Sequence, residues 1–169
     1  APHGTGGIKA GLNYAMSLHP IMEAHRHGFN ENMYLDPATR TKIEETGGAN
    51  IIFIKDNGKT LVTPLSDSIL PSITRRSLCY IAEHLLGMKV EHREVLLSEV
   101  EDGEFEEMGL CGTAAVISPV GRINDHGKVI NIKSGMDEIG PTLAKLRSTL
   151  TGIQDGEITD PDHWVFEIK

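Results

Sequence analysis

The stretch Asn50-Ile51-Ile52-Phe53-Ile54-Lys55, followed at once by Asp56-Asn57-Gly58, constrains this chain more than any other feature. Four successive large apolar residues, rich in β-branched types and bounded by turn formers, read as a strand over 50–55. Asp-Asn-Gly tolerates the left-handed backbone of a tight turn, so Thr60 to Thr63 is expected to pair back as a hairpin. The remaining glycines of a total of 18 likewise separate short periodic segments, as turns and close backbone approaches require.

Around this hairpin the pattern predicts a helix over 13–27, with Tyr14, Ala15, Met16, Leu18, Ile21, Met22 and Ala24 as its apolar residues. Gly28 would stop it and Pro20 would kink or divide it. Short strands are expected at 32–35, 41–45, 89–96, 105–109, 114–118 and 164–166, with a hairpin turn at Asp125-His126-Gly127. A second helix follows Arg75-Arg76, with Leu78, Ile81, Ala82, Leu85 and Leu86 inward and Gly87 at its end. Gly140-Pro141 opens a third, whose Leu143, Leu146 and Leu150 face the core. Many short strands with three main helices give an α+β class, without the regular alternation of a βαβ repeat.

With 169 residues the chain is large enough for one core that needs no staples. Its net charge of -8 argues against a nucleic-acid or anionic-membrane partner, both of which need a positive face. No apolar run approaches a membrane span. Cys79 and Cys111 lack CxxC spacing and read as two buried thiols of a reducing, cytoplasmic setting. The eight histidines form no HExxH or Cys/His quartet, so no metal is expected.

Five segments can carry chemistry. Gly4 to Gly11 holds Lys9 among small residues; Ile8 and Ala10 flank the lysine where a phosphate-binding P-loop would need Gly and Ser/Thr. What remains is a lysine ahead of an apolar helix, either a solvated charge or, where partly desolvated, a nucleophilic amine for Schiff-base chemistry. Asn13-Tyr14 follows closely enough to share its site, although a core tyrosine would look the same. Glu44-Glu45 ends a strand before Gly47-Gly48, and is either a solvated acidic pair or a partner for a pyridinium nitrogen. Ser72-Ile73-Thr74 starts a helix, as a simple N-cap or as an anion site. Cys111-Gly112-Thr113-Ala114-Ala115 is a turn whose backbone a ligand can approach.

The order of these segments carries more than any one of them. Lys-x-Gly-x-Asn-Tyr at Lys9 to Tyr14, Glu45 with Gly48-x-Asn50, Thr63-Pro64, Ser68 to Arg75, Gly112 to Val120, Gly140-Pro141 and Leu150 to Gly156 together resemble the fold-type IV pyridoxal-phosphate transaminases. Within them the chain is most similar to the branched-chain amino-acid aminotransferases. D-amino-acid transaminase and aminodeoxychorismate lyase, which share the fold, match the Gly112 to Val120 and Leu150 to Gly156 segments less well.

The resemblance implies the fold-type IV large domain, a strand-rich pseudo-barrel flanked by helices, and pyridoxal 5'-phosphate as cofactor. It implies a homodimer that moves an amino group between leucine, isoleucine or valine and 2-oxoglutarate. Lys9 would carry the Schiff base and shuttle the proton. Tyr14 would meet the ring oxygen and Glu45 the ring nitrogen. The Ile73 and Thr74 amides, with Thr113, would hold the phosphate, and the Ala114 and Ala115 amides the substrate carboxylate. Leu12 and Ser72 depart from the family, which commonly has a small residue or glycine at each place. The family also has a smaller N-terminal domain ahead of the lysine segment, so residues 1–169 are read as the single large, C-terminal domain without it. A non-catalytic binding domain with a vestigial site is the alternative of a different class.

Overall fold

The computed structural model describes residues 4–166 and 168. Its centre is β3 (Asn50–Lys55), which pairs antiparallel with β4 (Thr60–Pro64) on one edge and with β7 (Glu107–Gly112) on the other. Two further strands complete a five-stranded sheet in the order β5-β4-β3-β7-β8, where β5 is Lys89–Arg93 and β8 is Val116–Pro119. The expected hairpin is present, with Asp56, Asn57 and Gly58 all at positive φ.

Why the run 51–54 is continuously apolar is visible in its two faces. Ile52 and Ile54 join Leu61, Leu78, Ile81, Leu143 and Leu146 in one core, while Ile51 and Phe53 join Ile43, Val62, Val95, Phe105 and Met108 in another. Helices cover the first face. A second sheet, of β1 (Met33–Leu35), β2 (Lys42–Thr46) and β6 (Val95–Leu96) in the order β1-β2-β6, supplies Ile43 and Val95 to the other. A strand buried on both sides loses the alternation that a half-exposed strand shows. A separate antiparallel hairpin joins β9 (Arg122–Asp125) to β10 (Lys128–Asn131), with His126 and Gly127 at positive φ in its turn.

Of the helices, α2 (Ile73–Tyr80) runs on through a π-helical turn at Ile81–Leu85 and stops at Gly87, whose φ is +64°. The last helix, α4 (Pro141–Gln154), starts with proline at its first turn, and buries Leu143, Leu146, Leu150 and Ile153. Its free N-terminal amides are satisfied from a distant strand: Glu107 of β7 accepts from Thr142 N (3.0 Å) and Leu143 N (2.8 Å). Gly140 permits that approach, because a Cβ there would lie 2.3 Å from the Glu107 carboxyl carbon. Among the described residues no helix is long and apolar enough to cross a membrane.

Three expectations need correction, and one short helix is new. The segment 89–96 is two strands in two sheets: β5 runs parallel to β4, and β6 pairs antiparallel with β2. Between them Arg93 turns to Glu99, with Nη2 2.6 Å from a carboxylate oxygen. A short helix α3 (Leu97–Glu101), unannounced by its few residues, follows directly. Residues 164–166 form no strand; Trp164 instead packs edge-on to Tyr80, with ring centroids 5.1 Å apart. Finally α1 (Gly11–Arg26) runs through Pro20 as one helix and has no buried residue, so its apolar positions do not face a core within this chain.

The Glu107 bridge gives a test of the fold. Glu107→Ala leaves two helix-terminal amides without a charged acceptor and should lower stability by about 2–3 kcal/mol, measured by urea denaturation. Glu107→Gln, which keeps one acceptor oxygen, should cost less.

Candidate functional site

β2 and β3 are consecutive in sequence but lie in different sheets, and the turn between them begins the site. Thr46 closes it, with its N–H and Oγ1 each 2.9 Å from Ala49 O. This places the pair Glu44-Glu45 where the two sheets diverge. The segment 65–72, which leaves β4 and leads to α2, lies across that junction as a strap. Ser66 Oγ donates to Glu44 Oε1 (2.8 Å), and Leu70 N–H is shared between Glu45 Oε2 (3.3 Å) and Oε1 (3.4 Å). Glu45 is also held from the other side, by Asn50 Nδ2 at 2.8 Å from Oε2.

The Lys9 loop rests on this strap. A Cβ on Gly6 would lie 2.3 Å from Ser68 O, and one on Gly7 2.8 Å from Asp67 O. Only glycine allows the two backbones so close. Asn13, in the first turn of α1, ties the loop from inside: its Nδ2 donates to Thr5 O (2.7 Å) and Ile8 O (2.8 Å), and its Oδ1 accepts from Thr5 Oγ1 (2.7 Å). Lys9 itself is exposed, so of its two sequence readings the solvated charge describes it within this chain. Tyr14 follows on α1, 44% exposed.

At the far end of the strap Ser72 caps α2, its Oγ accepting from Arg75 N–H (3.2 Å). The amides of Ile73 and Thr74 stand ahead of that cap, among the N–H groups that a helix cannot bond internally. The Ile73 side chain is 69% exposed. Gly112 ends β7, where a Cβ would lie 3.9 Å from Gly48 O and 4.0 Å from Ala49 Cβ, so the exposed turn Thr113-Ala114-Ala115 adjoins the β2–β3 turn. Val116, directly after it, has φ +59°, a strained backbone for a β-branched residue. A cleft of about 940 Å³ opens from Thr113, Ala114 and Ala115 toward Ala24 of α1 and Ile123 of β9. It takes in that turn but is not lined by Lys9 or Glu45.

Glu45 is the electrostatic oddity of the site. Burial pushes its carboxyl group up from 4.5 to about 7; the Leu70 amide pulls it back, the Glu44 charge adds to the rise, and the Arg75 guanidinium and Asn50 lower it. Burial dominates. Of the sequence candidates, the structure gathers Glu45, the strap that begins α2 and the loop carrying Lys9 into one contiguous arrangement. Thr113, Ala114 and Ala115 stand on the adjacent turn. Three residues outside the candidates act on Glu45: Leu70 and Asn50 by hydrogen bonds and Arg75 by its charge. Asn50 was legible as part of the Gly48-x-Asn50 motif and as a polar residue opening an otherwise isoleucine-rich strand, but not as a partner of Glu45.

The family model described as amino-transferase class IV matches residues 6–123, and the chain belongs to that family. Its α+β architecture is the fold-type IV architecture of solved members. The branched-chain-amino-acid aminotransferase of Haemophilus influenzae is 45% identical over 174 residues, covering 100% of this chain and 50% of the relative. The crystal structure of the Escherichia coli branched-chain amino acid aminotransferase superposes with a TM-score of 0.83 at 32% identity, over 97% of this chain and 51% of that one. The Thermobaculum terrenum enzyme in its PLP form gives 0.75 at 32% identity, over 89% and 46%. The chain therefore spans about half the length of the relatives it matches.

The raised Glu45 carboxyl has a consequence for stability. Below about 4.5 the acid is protonated whether the chain is folded or not; between there and about 7 the folded chain keeps a proton that the unfolded chain has released. The folded state therefore binds more protons, and this contribution to stability is lost as pH rises through that window. Thermal melts of the cofactor-free protein should show this slope, and Glu45→Gln should flatten it. An unchanged profile in the variant would assign the slope to other groups.

Proposed function

We propose that this chain is the cofactor-carrying part of an aminotransferase that moves an amino group between leucine, isoleucine or valine and 2-oxoglutarate through pyridoxal 5'-phosphate. Residues 1–169 act in this reading as one domain, the large domain of the enzyme. The observation that carries the proposal is the carboxyl group of Glu45, half-buried and gripped by the Leu70 amide and Asn50 beneath the strap on which the Lys9 loop lies. The names of the relatives and the PLP form of the T. terrenum enzyme point the same way.

The donor set fits such a cofactor. Pyridoxal phosphate, when bound, supplies a ring that withdraws electrons from the reacting carbon. An acid held near neutrality suits a pyridine nitrogen, since it accepts the ring N–H when ionised. The first amides of a capped helix suit a phosphate, and α2 offers those of Ile73 and Thr74, with the Thr113 hydroxyl on the neighbouring turn. Lys9 Nζ would hold the group and then carry a proton to and from the substrate's α-carbon. Tyr14 would donate to the ring oxygen, and the Ala114 and Ala115 amides would receive the substrate carboxylate. Exposure of Lys9, Tyr14 and the 113–115 turn leaves them free for such contacts. The substrate stays a small molecule in this reading, and a homodimer in the cytoplasm is its setting. The uncovered apolar residues Leu12, Met16, Leu18 and Met22 of α1 favour assembly, and the free thiols Cys79 and Cys111 a reducing compartment.

Mixing the protein with pyridoxal phosphate should produce a visible absorption band that Lys9→Ala abolishes, together with at least a ~10²-fold loss of turnover. No band in the unaltered chain, or the same band in the variant, would defeat the lysine assignment. A band without amino transfer from leucine would confine the chain to cofactor binding. Analytical ultracentrifugation settles whether a dimer forms.

A further inference from the structure

Asn50 is the first residue of β3, paired with Cys111 of β7 in the ladder and only 3% exposed. A carboxamide at the head of a strand that continues with Ile51, Ile52, Phe53 and Ile54 is poorly placed for packing and needs partners. It has one: Nδ2 donates to Glu45 Oε2 at 2.8 Å. Its Oδ1 is buried and takes no hydrogen bond among the described residues.

The asymmetry of the contacts on Glu45 follows from this. Oε2 receives Asn50 Nδ2 and the shorter arm of the Leu70 N–H, whereas Oε1 receives only the longer arm, at 3.4 Å. Oε1 is thus the oxygen left with acceptor capacity. We propose that Asn50 is a positioning residue for the ring-nitrogen contact: its amide occupies Glu45 Oε2, favours the ionised carboxyl, and turns Oε1 toward the nitrogen.

A carboxamide is suited to this role because it serves both protonation states. Toward a carboxylate it donates through Nδ2; rotated half a turn, it offers Oδ1 to the O–H of the protonated acid. The Glu45 carboxyl lies at about 7, so both arrangements are populated near neutral pH, and the unpartnered Oδ1 of one is the acceptor of the other. The charged groups acting on Glu45 are Glu44 on its own strand, which raises it, and Arg75 on α2, which lowers it. Among the described residues neither hydrogen-bonds Glu45, so neither orients the carboxyl group.

The proposal rests on the assignment of Glu45 to the ring nitrogen, and the two are separable by experiment. In the cofactor-free protein, NMR with carboxyl-labelled glutamate and ¹⁵N-labelled asparagine should show the Asn50 side-chain amide and the Glu45 carboxyl titrating with one midpoint. Glu45→Gln should make the Asn50 signals independent of pH. Asn50→Leu, similar in size but without donors, should raise the Glu45 midpoint by about 1 pH unit. Pyridoxal phosphate should then bind about tenfold more weakly, while an analogue with carbon in place of the ring nitrogen binds both forms equally. Asn50 signals that ignore the titration of Glu45 in the unaltered protein would overturn the proposal, even where the leucine variant does not fold. So would a leucine variant that weakens phosphate cofactor and carbon analogue alike, the mark of a merely structural role. Coupled titration with no difference between cofactor and analogue, in the unaltered protein as well as in Glu45→Gln, would instead dismiss the ring-nitrogen reading of Glu45 and leave its bond to Asn50 standing.

Discussion

Everything else in this structure is arranged around a strand that has no free side. β3 has a neighbour on each edge and an apolar core against each face, so its register with β4 and β7 fixes the two cores at once. Shifting it by a single residue would exchange Ile52 and Ile54 with Ile51 and Phe53 between cores of different shape. The ends of that strand and its partners are consequently the best-defined points in the molecule. Asn50 and Cys111 stand opposite one another at one such end, with Gly112 one step further on. A site assembled there inherits its positional accuracy from the sheet, although most of its groups sit in turns.

Against that rigid frame Glu45 is an energetic conflict kept in balance. Taking a carboxyl group out of water opposes its charge; two hydrogen-bond donors and a nearby guanidinium restore part of it. A purely structural residue has no use for such a compromise, since an apolar side chain would pack there without it. The compromise makes sense where a proton must be held by either of two partners. It also accounts for the strap: the same segment that begins α2, and so presents the amides of Ile73 and Thr74, is anchored to the acid by Leu70.

Much of the fold was legible because periodicity and turn chemistry agreed. The β3–β4 hairpin, α2, α4 and the β9–β10 turn all carry such paired signals. Where long-range pairing decided the matter, local pattern failed. Nothing in Lys89 to Leu96 tells that its first half joins one sheet in parallel and its second half another. Helix α1 shows the opposite failure: its apolar residues were real, but a pattern of apolar positions states that a face is to be covered, not by what. For the site, the motifs around Lys9, Glu45 and Thr113 were readable as an ordered set. The grip on Glu45 was not, because Leu70 acts through its backbone, which leaves no trace in residue type, and Asn50 by a contact between strands of different sheets.

The parallel pairing of β4 with β5 sets the length of a connection as well as a shape. Parallel neighbours cannot be joined by a tight turn, and residues 65–88 form the crossover between them. Antiparallel β3–β4 closes over four residues and can form early; the crossover closes a long loop, whose entropy must be met before its contacts reward it. The strap lies within that crossover. Glu45 and the Leu70 amide lie 25 residues apart, so their contact closes a longer loop than the β3–β4 turn does. The amides of Ile73 and Thr74 and the grip on Glu45 depend on that one segment, so a chain with only its hairpin formed would lack both.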